Sequence, residues 1–104
     1  MNILILGSGI VGANLAKKLS EQGKNVFLLD DDANELKNLS ERFDIKTIYD
    51  DPLNPSFYKN FDTKIDYFIA VTRSDEKNII TSKFAKEFLN VDKSIARVRN
   101  QNLI

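Results

Sequence analysis

Residues 7–12 read Gly7-Ser8-Gly9-Ile10-Val11-Gly12, and this hexapeptide narrows the fold more than any other stretch of the chain. It follows a short apolar run, Ile3 to Leu6. It opens a segment, Ile10 to Gln22, with Val11, Leu15 and Leu19 at i, i+4 and i+8 beside Ala13 and Ala16. A buried strand, a G-x-G-x-x-G turn and an amphipathic helix, in that order, begin a doubly wound α/β domain. Gly7 permits the tight turn, Gly9 lets backbone approach a pyrophosphate, and Gly12 lets the helix lie close on the strand. The free N–H groups of the turn and the positive end of the helix form a candidate anion cradle over Gly7, Ser8, Gly9, Ile10, Val11 and Gly12. The alternative is that the glycines mark a turn and nothing more.

The remaining pattern continues the alternation. Val26 to Leu29 is a second buried strand closed by Asp30-Asp31-Asp32, and Gly23 before it suits a helix C-terminus. Ala33 to Phe43 carries Leu36, Leu39 and Phe43 at helical spacing, and Ile45 to Tyr49 is a weaker third strand. Asp50 to Pro55 is loop chemistry, with Pro55 in the first turn of a short helix, Ser56 to Phe61. Tyr67 to Val71 is a fourth strand. Asp75 to Asn90 is the longest helix, with Ile79, Ile80, Phe84 and Phe88 assigned to its inner side, and Ser94 to Val98 is a fifth strand. Buried strands alternating with helices predict a parallel sheet covered on both faces, a three-layer Rossmann-like α/β fold. Right-handed crossovers favour the strand order 3-2-1-4-5, which places a ligand crevice at the carboxyl ends of strands one and four. At 104 residues the chain is read as one domain, residues 1–104.

The missing residue types exclude much chemistry. The chain has no Cys and no His, so thiolate nucleophiles, disulfides, Cys-based metal sites and the commonest general base are all gone. No metal ligands and no catalytic residues are assigned. Fifteen Lys+Arg balance 15 Asp+Glu, which gives no bulk field toward nucleic acid. The first apolar run is too short for a signal peptide, and no stretch approaches a membrane span. The chain reads as soluble and cytoplasmic, with no membrane insertion of its own.

Candidate ligand residues cluster at strand ends. Asp30 lies 18 residues after Gly12, where an acid accepts hydrogen bonds from the ribose hydroxyls of an adenosine. Asp31 and Asp32 add negative charge that a 2′-phosphate would meet, which favours NAD or NADH over NADP. Asp31 or Asp32 also suits the N-cap of the next helix, and both roles are compatible. Asp50 and Asp51 end strand three, within reach of an adenine edge or in a solvated turn. Thr72 is either a hydrogen-bonding group for the cofactor or a helix N-terminal residue. Arg73 is either a phosphate ligand or a surface charge. Arg97 and Arg99 are two apart on strand five and share a face; a bound anion or an internal acid would satisfy them.

Taken together, Met1 to Gly12, Asp30, Ala70-Val71-Thr72-Arg73-Ser74-Asp75-Glu76-Lys77-Asn78 and Ile95-Ala96-Arg97-Val98-Arg99 resemble the N-terminal nucleotide-binding domain of TrkA-type potassium-uptake regulatory subunits, the KTN or RCK N-domain. The resemblance spans all 104 residues, and the second and third of its long stretches are more specific than the glycine turn. It implies a cytoplasmic gating module that binds NAD(H), or ATP, ADP or AMP, as its ligand. Such a module assembles as a homodimer or larger ring on an integral-membrane potassium transporter or channel subunit. It implies cofactor contacts at Gly7–Gly12, Asp30, Thr72, Arg73 and Arg97. Asp75, Glu76 and Asn78 match the motif that opens the long helix, where acids also suit the helix dipole.

Two departures stand out. Tyr49-Asp50-Asp51-Pro52 lacks the glycine the family often carries after strand three, which weakens the adenine-side assignment. The chain also stops soon after strand five, where relatives add a sixth strand, a crossover helix and a C-terminal ligand domain; it is read as part of a longer chain. The rival function is the cofactor-binding half of an NAD-dependent oxidoreductase. That chemistry needs a substrate pocket and usually an acid/base near the nicotinamide, and a chain of this length without His supplies neither.

Overall fold

A computed structural model describes residues 1–100. The elements are β1 (Asn2–Leu6), α1 (Ile10–Glu21), β2 (Asn25–Asp30), α2 (Ala33–Arg42), β3 (Lys46–Tyr49), α3 (Pro55–Asn60), β4 (Tyr67–Ala70), α4 (Asp75–Phe84), a π-helical turn (Ala85–Leu89) and β5 (Lys93–Ala96). The sheet is all parallel, in the order β3-β2-β1-β4-β5, as predicted. β1 is central, with Ile5 paired to Leu28 on one side and to Ile69 on the other.

Both faces of the central strands are buried, which explains why they read as unbroken apolar runs. Leu4, Leu6, Phe27, Leu29 and Phe68 face one side and pack with Tyr58, Ala85 and Leu89. Ile3, Ile5, Val26 and Leu28 face the other and pack with Ala16 of α1 and Leu36 and Leu39 of α2. Helices α1 and α2 therefore form one layer, and α3 with α4 the opposite one. Because β1 sends its chain to one face and β4 to the other, the layers part at the carboxyl ends of these two strands.

Three expectations needed correction. The long helix is α-helical only to Phe84; a π turn follows, closed by Asn90 at φ 53°. Residues 84, 85, 88 and 89 form one stripe in either kind of helix, so apolar spacing does not register the change. Phe84 and Phe88 pack against the core as expected, but the fully turned-in positions of α4 are Asp75, Asn78 and Thr81, while Ile80 is 42% exposed. Backbone groups just past β4 and β5 lie under this face and pair with Asp75 and Asn78, whereas the Thr81 hydroxyl donates to the Lys77 carbonyl within the helix. β5 ends at Ala96 because its partner β4 ends at Ala70, so Arg97 and Arg99 lie past the strand; Arg97 adds one last bond, its N–H donating to the Ala70 carbonyl at 2.9 Å.

Gly12 fixes the position of α1. A Cβ there would stand 1.7 Å from the Gly7 carbonyl oxygen, inside any permitted contact. Gly12→Ala is expected to destabilise the domain by about 3 kcal/mol or more, since neither backbone segment can yield cheaply. Gly9 has no such neighbour, and Gly9→Ala should stay within about 0.5 kcal/mol of the parent. Urea unfolding of the two variants tests the contrast; equal losses would contradict it.

Candidate functional site

The cleft where the layers part has a volume of about 780 Å³, within the usual range for small-molecule sites. Its centre is the glycine turn. Gly7 takes φ 118° and donates its N–H to the Leu29 carbonyl at 3.0 Å, tying the turn to β2. Ser8 is buried beneath the turn. Gly9 is exposed at φ −70°, and a Cβ on it would meet nothing within 4 Å. Neither backbone geometry nor packing within the described residues demands glycine at 9, and its smallness leaves space open toward the cleft. Helix α1 starts here without a side-chain cap and without an acid in its first turn. By contrast Asp32, Asn54 and Ser74 cap α2, α3 and α4. The first amides of α1 therefore remain donors for an anion.

Asp30 forms one wall. Its Oδ2 accepts from the Ser8 N–H at 2.7 Å and the Ser8 hydroxyl at 2.8 Å. Its Oδ1 accepts from the amides of Asp31 at 2.7 Å and Asp32 at 3.1 Å. Burial works against the charge, but the hydrogen bonds from Ser8 and Asp31 outweigh it and hold the carboxyl below its ordinary value of 3.8. Asp32 and Glu35 stand on the same side, with Arg42 at the last turn of α2.

The opposite wall is cationic: Arg73, Lys77, Arg97 and Arg99. Arg99 is committed within the chain. Its Nε lies 3.8 Å from the Asp75 carboxylate, and its guanidinium donates to the Arg73 carbonyl. Asp75 also accepts from the backbone amides of Arg99 and Asn100, at 3.1 and 2.8 Å. These two amides hold the Asp75 carboxyl below its usual range against a smaller opposing effect of burial, and the charges of Arg99 and Arg97 act in the same direction. Among the described residues neither the Arg73 nor the Arg97 side chain enters an ion pair. The two arginines read as a pair on one strand thus differ: Arg99 has an internal acid, and Arg97 faces the cleft.

The structure brings together Gly7, Ser8, Gly9, Ile10, Val11, Asp30, Thr72, Arg73 and Arg97 around one cleft. Gly12 lies just behind the turn, and Asp31, outside the cleft lining, donates its amide to Asp30. Asp50 lines a separate, shallower depression beside Phe57 and Phe61, and Asp51 binds the Leu53 amide. Thr72 lines the cleft, but its N–H and hydroxyl both donate to Asn78 and its carbonyl accepts from Asn78. Lys77 and Arg42 were not read as cleft residues. Lys77 was legible in principle, because the first turn of the helix after β4 borders the switch point.

The fold and cleft define a Rossmann-like α/β domain with an uncapped helix N-terminus at its glycine turn. The chain belongs to the TrkA-N domain family, whose model matches residues 3–104. It is 31% identical over 105 residues to the Trk system potassium uptake protein TrkA of Haemophilus influenzae, covering 100% of this chain and 23% of that protein. It is 36% identical over 100 residues to the protein of the same name from Halomonas elongata, covering 95% of this chain and 22% of that one. The chain thus spans under a quarter of either relative. Among solved structures, the NAD(P)-binding domain of an exopolyphosphatase-related protein from Archaeoglobus fulgidus superposes with a TM-score of 0.84. That match covers 96% of this chain and 74% of that one at 23% identity, a likeness of fold.

Because the folded Asp30 value is depressed, its carboxylate contributes stability above the unfolded value that is lost as the pH falls through the folded one. Ser8→Ala removes one donor and should move the Asp30 midpoint upward in a carboxyl-carbon NMR titration. An unmoved midpoint would show that the Ser8 hydroxyl does not hold the anion.

Proposed function

We propose that this TrkA-N domain is a nucleotide-responsive regulatory module of a potassium uptake system, with NAD or NADH as its ligand. The observation that carries this reading is the open space at Gly9 over an uncapped helix N-terminus, with the Asp30 carboxylate beside it. In this reading the amides of Gly9, Ile10 and Val11, together with the Arg97 guanidinium, hold phosphate, and Asp30 accepts the adenosine ribose hydroxyls. A second ribose and its base extend past Val71 and Thr72. Asp30, Asp31, Asp32 and Glu35 disfavour a 2′-phosphate, so NADP binds more weakly. Asp50 and Asp51 lie off the cleft and take no direct part.

Arg73, Lys77 and Arg97 favour a second reading, an adenine di- or triphosphate whose terminal phosphates meet these cations. In either reading the ligand undergoes no chemistry. It shifts the equilibrium between two arrangements of an assembly by binding one more tightly than the other. The assembly is a homodimer or larger ring on the inner face of an integral-membrane potassium transporter or channel subunit. The names of the TrkA relatives support the link to potassium uptake. No helix of the described residues is long and apolar enough to cross a membrane, consistent with a module that acts through such a partner.

Calorimetry with NADH, NAD, NADP, ATP and AMP at fixed ionic strength tests the ligand. NADH or NAD should bind tightest and NADP weakest, and Asp30→Ala should weaken binding by about 1.5–3 kcal/mol, the range for a charged hydrogen bond. Tighter binding of ATP or AMP than of NAD would replace the dinucleotide by the mononucleotide reading. Turnover of NADH with a panel of 2-oxo acids would overturn the regulatory reading in favour of an oxidoreductase.

A further inference from the structure

Asn78 is fully buried on the inner face of α4, a position where a helix ordinarily places an apolar side chain. Its amide uses its full hydrogen-bonding capacity. Oδ1 accepts from the Thr72 N–H at 2.9 Å and the Thr72 hydroxyl at 2.7 Å. Nδ2 donates to the Thr72 carbonyl at 3.1 Å and to the Arg97 carbonyl at 2.9 Å. Backbone polarity admits only this orientation, because a fixed N–H faces one end of the amide and two carbonyls face the other. An aspartate of the same shape would set an acceptor against both carbonyls, and a leucine would leave them unpaired.

These four bonds join the end of β4 to the residue just past the end of β5. The sheet ladder reaches only to the Arg97 amide, so the Arg97 carbonyl depends on Asn78. One helical turn earlier, Asp75 holds the Arg99 and Asn100 amides. The first turn of α4 thus grips the backbone on both sides of Val98.

We infer that Asn78 is a positioning residue for the nucleotide site: by holding the Arg97 backbone against Thr72, it sets where the Arg97 guanidinium stands in the cleft. It touches no ligand and acts through Arg97. The role in binding rests on the nucleotide reading above, whereas the fixing of Arg97 does not.

Two measurements on the 104-residue chain separate these. In native-state hydrogen exchange without ligand, Asn78→Ala should speed exchange of the Arg97 amide about tenfold or more beyond any change at Leu28 in the sheet centre. A change at Arg97 that merely follows Leu28 would overturn the inference. In a double-mutant cycle with NADH as the probe, Asn78→Ala should weaken binding about tenfold in the parent and less than about threefold in the Arg97→Ala background. The same factor in both backgrounds would overturn it, since Asn78 then acts independently of Arg97. If Asn78→Ala does not fold, Asn78→Ser enters both experiments in its place. A parent chain that binds no adenine nucleotide would sink the nucleotide reading, and the exchange result alone would then decide whether Asn78 fixes Arg97.

Discussion

The contact between Gly12 and the Gly7 carbonyl governs the rest of the molecule. With no room for even a methyl group, α1 lies directly on the end of β1 and its axis is fixed by backbone against backbone. That closeness aims the helix N-terminus at the parting of the two layers. It also places the Ser8 amide and hydroxyl beneath the turn, where they meet Asp30 from the neighbouring strand. The turn, the helix end and the carboxylate are consequently one rigid unit joined to β2, rather than three features that happen to be close.

The cleft built on this unit has two electrostatic ends. Asp30, Asp32 and Glu35 stand on the β2 side, joined there by Arg42 at the end of α2, and Arg73, Lys77 and Arg97 stand on the β4–β5 side, with uncapped amides between them. A ligand with hydroxyls at one end and phosphate toward the middle and far end complements that order. Among the described residues, one further cation that lines the cleft is neutralised within the chain. Arg99 is taken up by Asp75 and the Arg73 carbonyl, and α4 carries buried Asn78 where apolar packing alone would favour leucine.

The strand order and glycine turn were legible because both rest on backbone rules. Continuous apolar strands separated by helices leave little choice but a doubly wound parallel sheet, and Gly7 and Gly12 answer two separate steric demands, the positive φ of the turn and the close approach of α1. Asp30 was legible for a related reason, as the last residue of β2 beside the turn. The inner face of α4 was not. Ile79 and Ile80 advertise an apolar stripe, whereas the helix turns Asp75 and Asn78 inward to serve strand ends that periodicity cannot see, and buries Thr81, whose hydroxyl donates to the Lys77 carbonyl of its own helix. The different fates of Arg97 and Arg99 were hidden likewise, because β5 ends earlier than its apolar residues imply and Asp75 claims only one of them. Asp50 and Asp51 looked like cleft residues by strand position, but the loop after β3 turns them aside.

The most direct test of the central claim, that a nucleotide sits between the glycine turn and the cationic wall, is a backbone amide NMR titration of the chain with NADH. The account predicts that the largest shifts fall on Gly7 to Gly12, Asp30, Thr72 and Arg97, with Asp50 to Phe61 unmoved. Shifts concentrated at the depression beside Asp50, Phe57 and Phe61, or spread evenly over the surface, would contradict it.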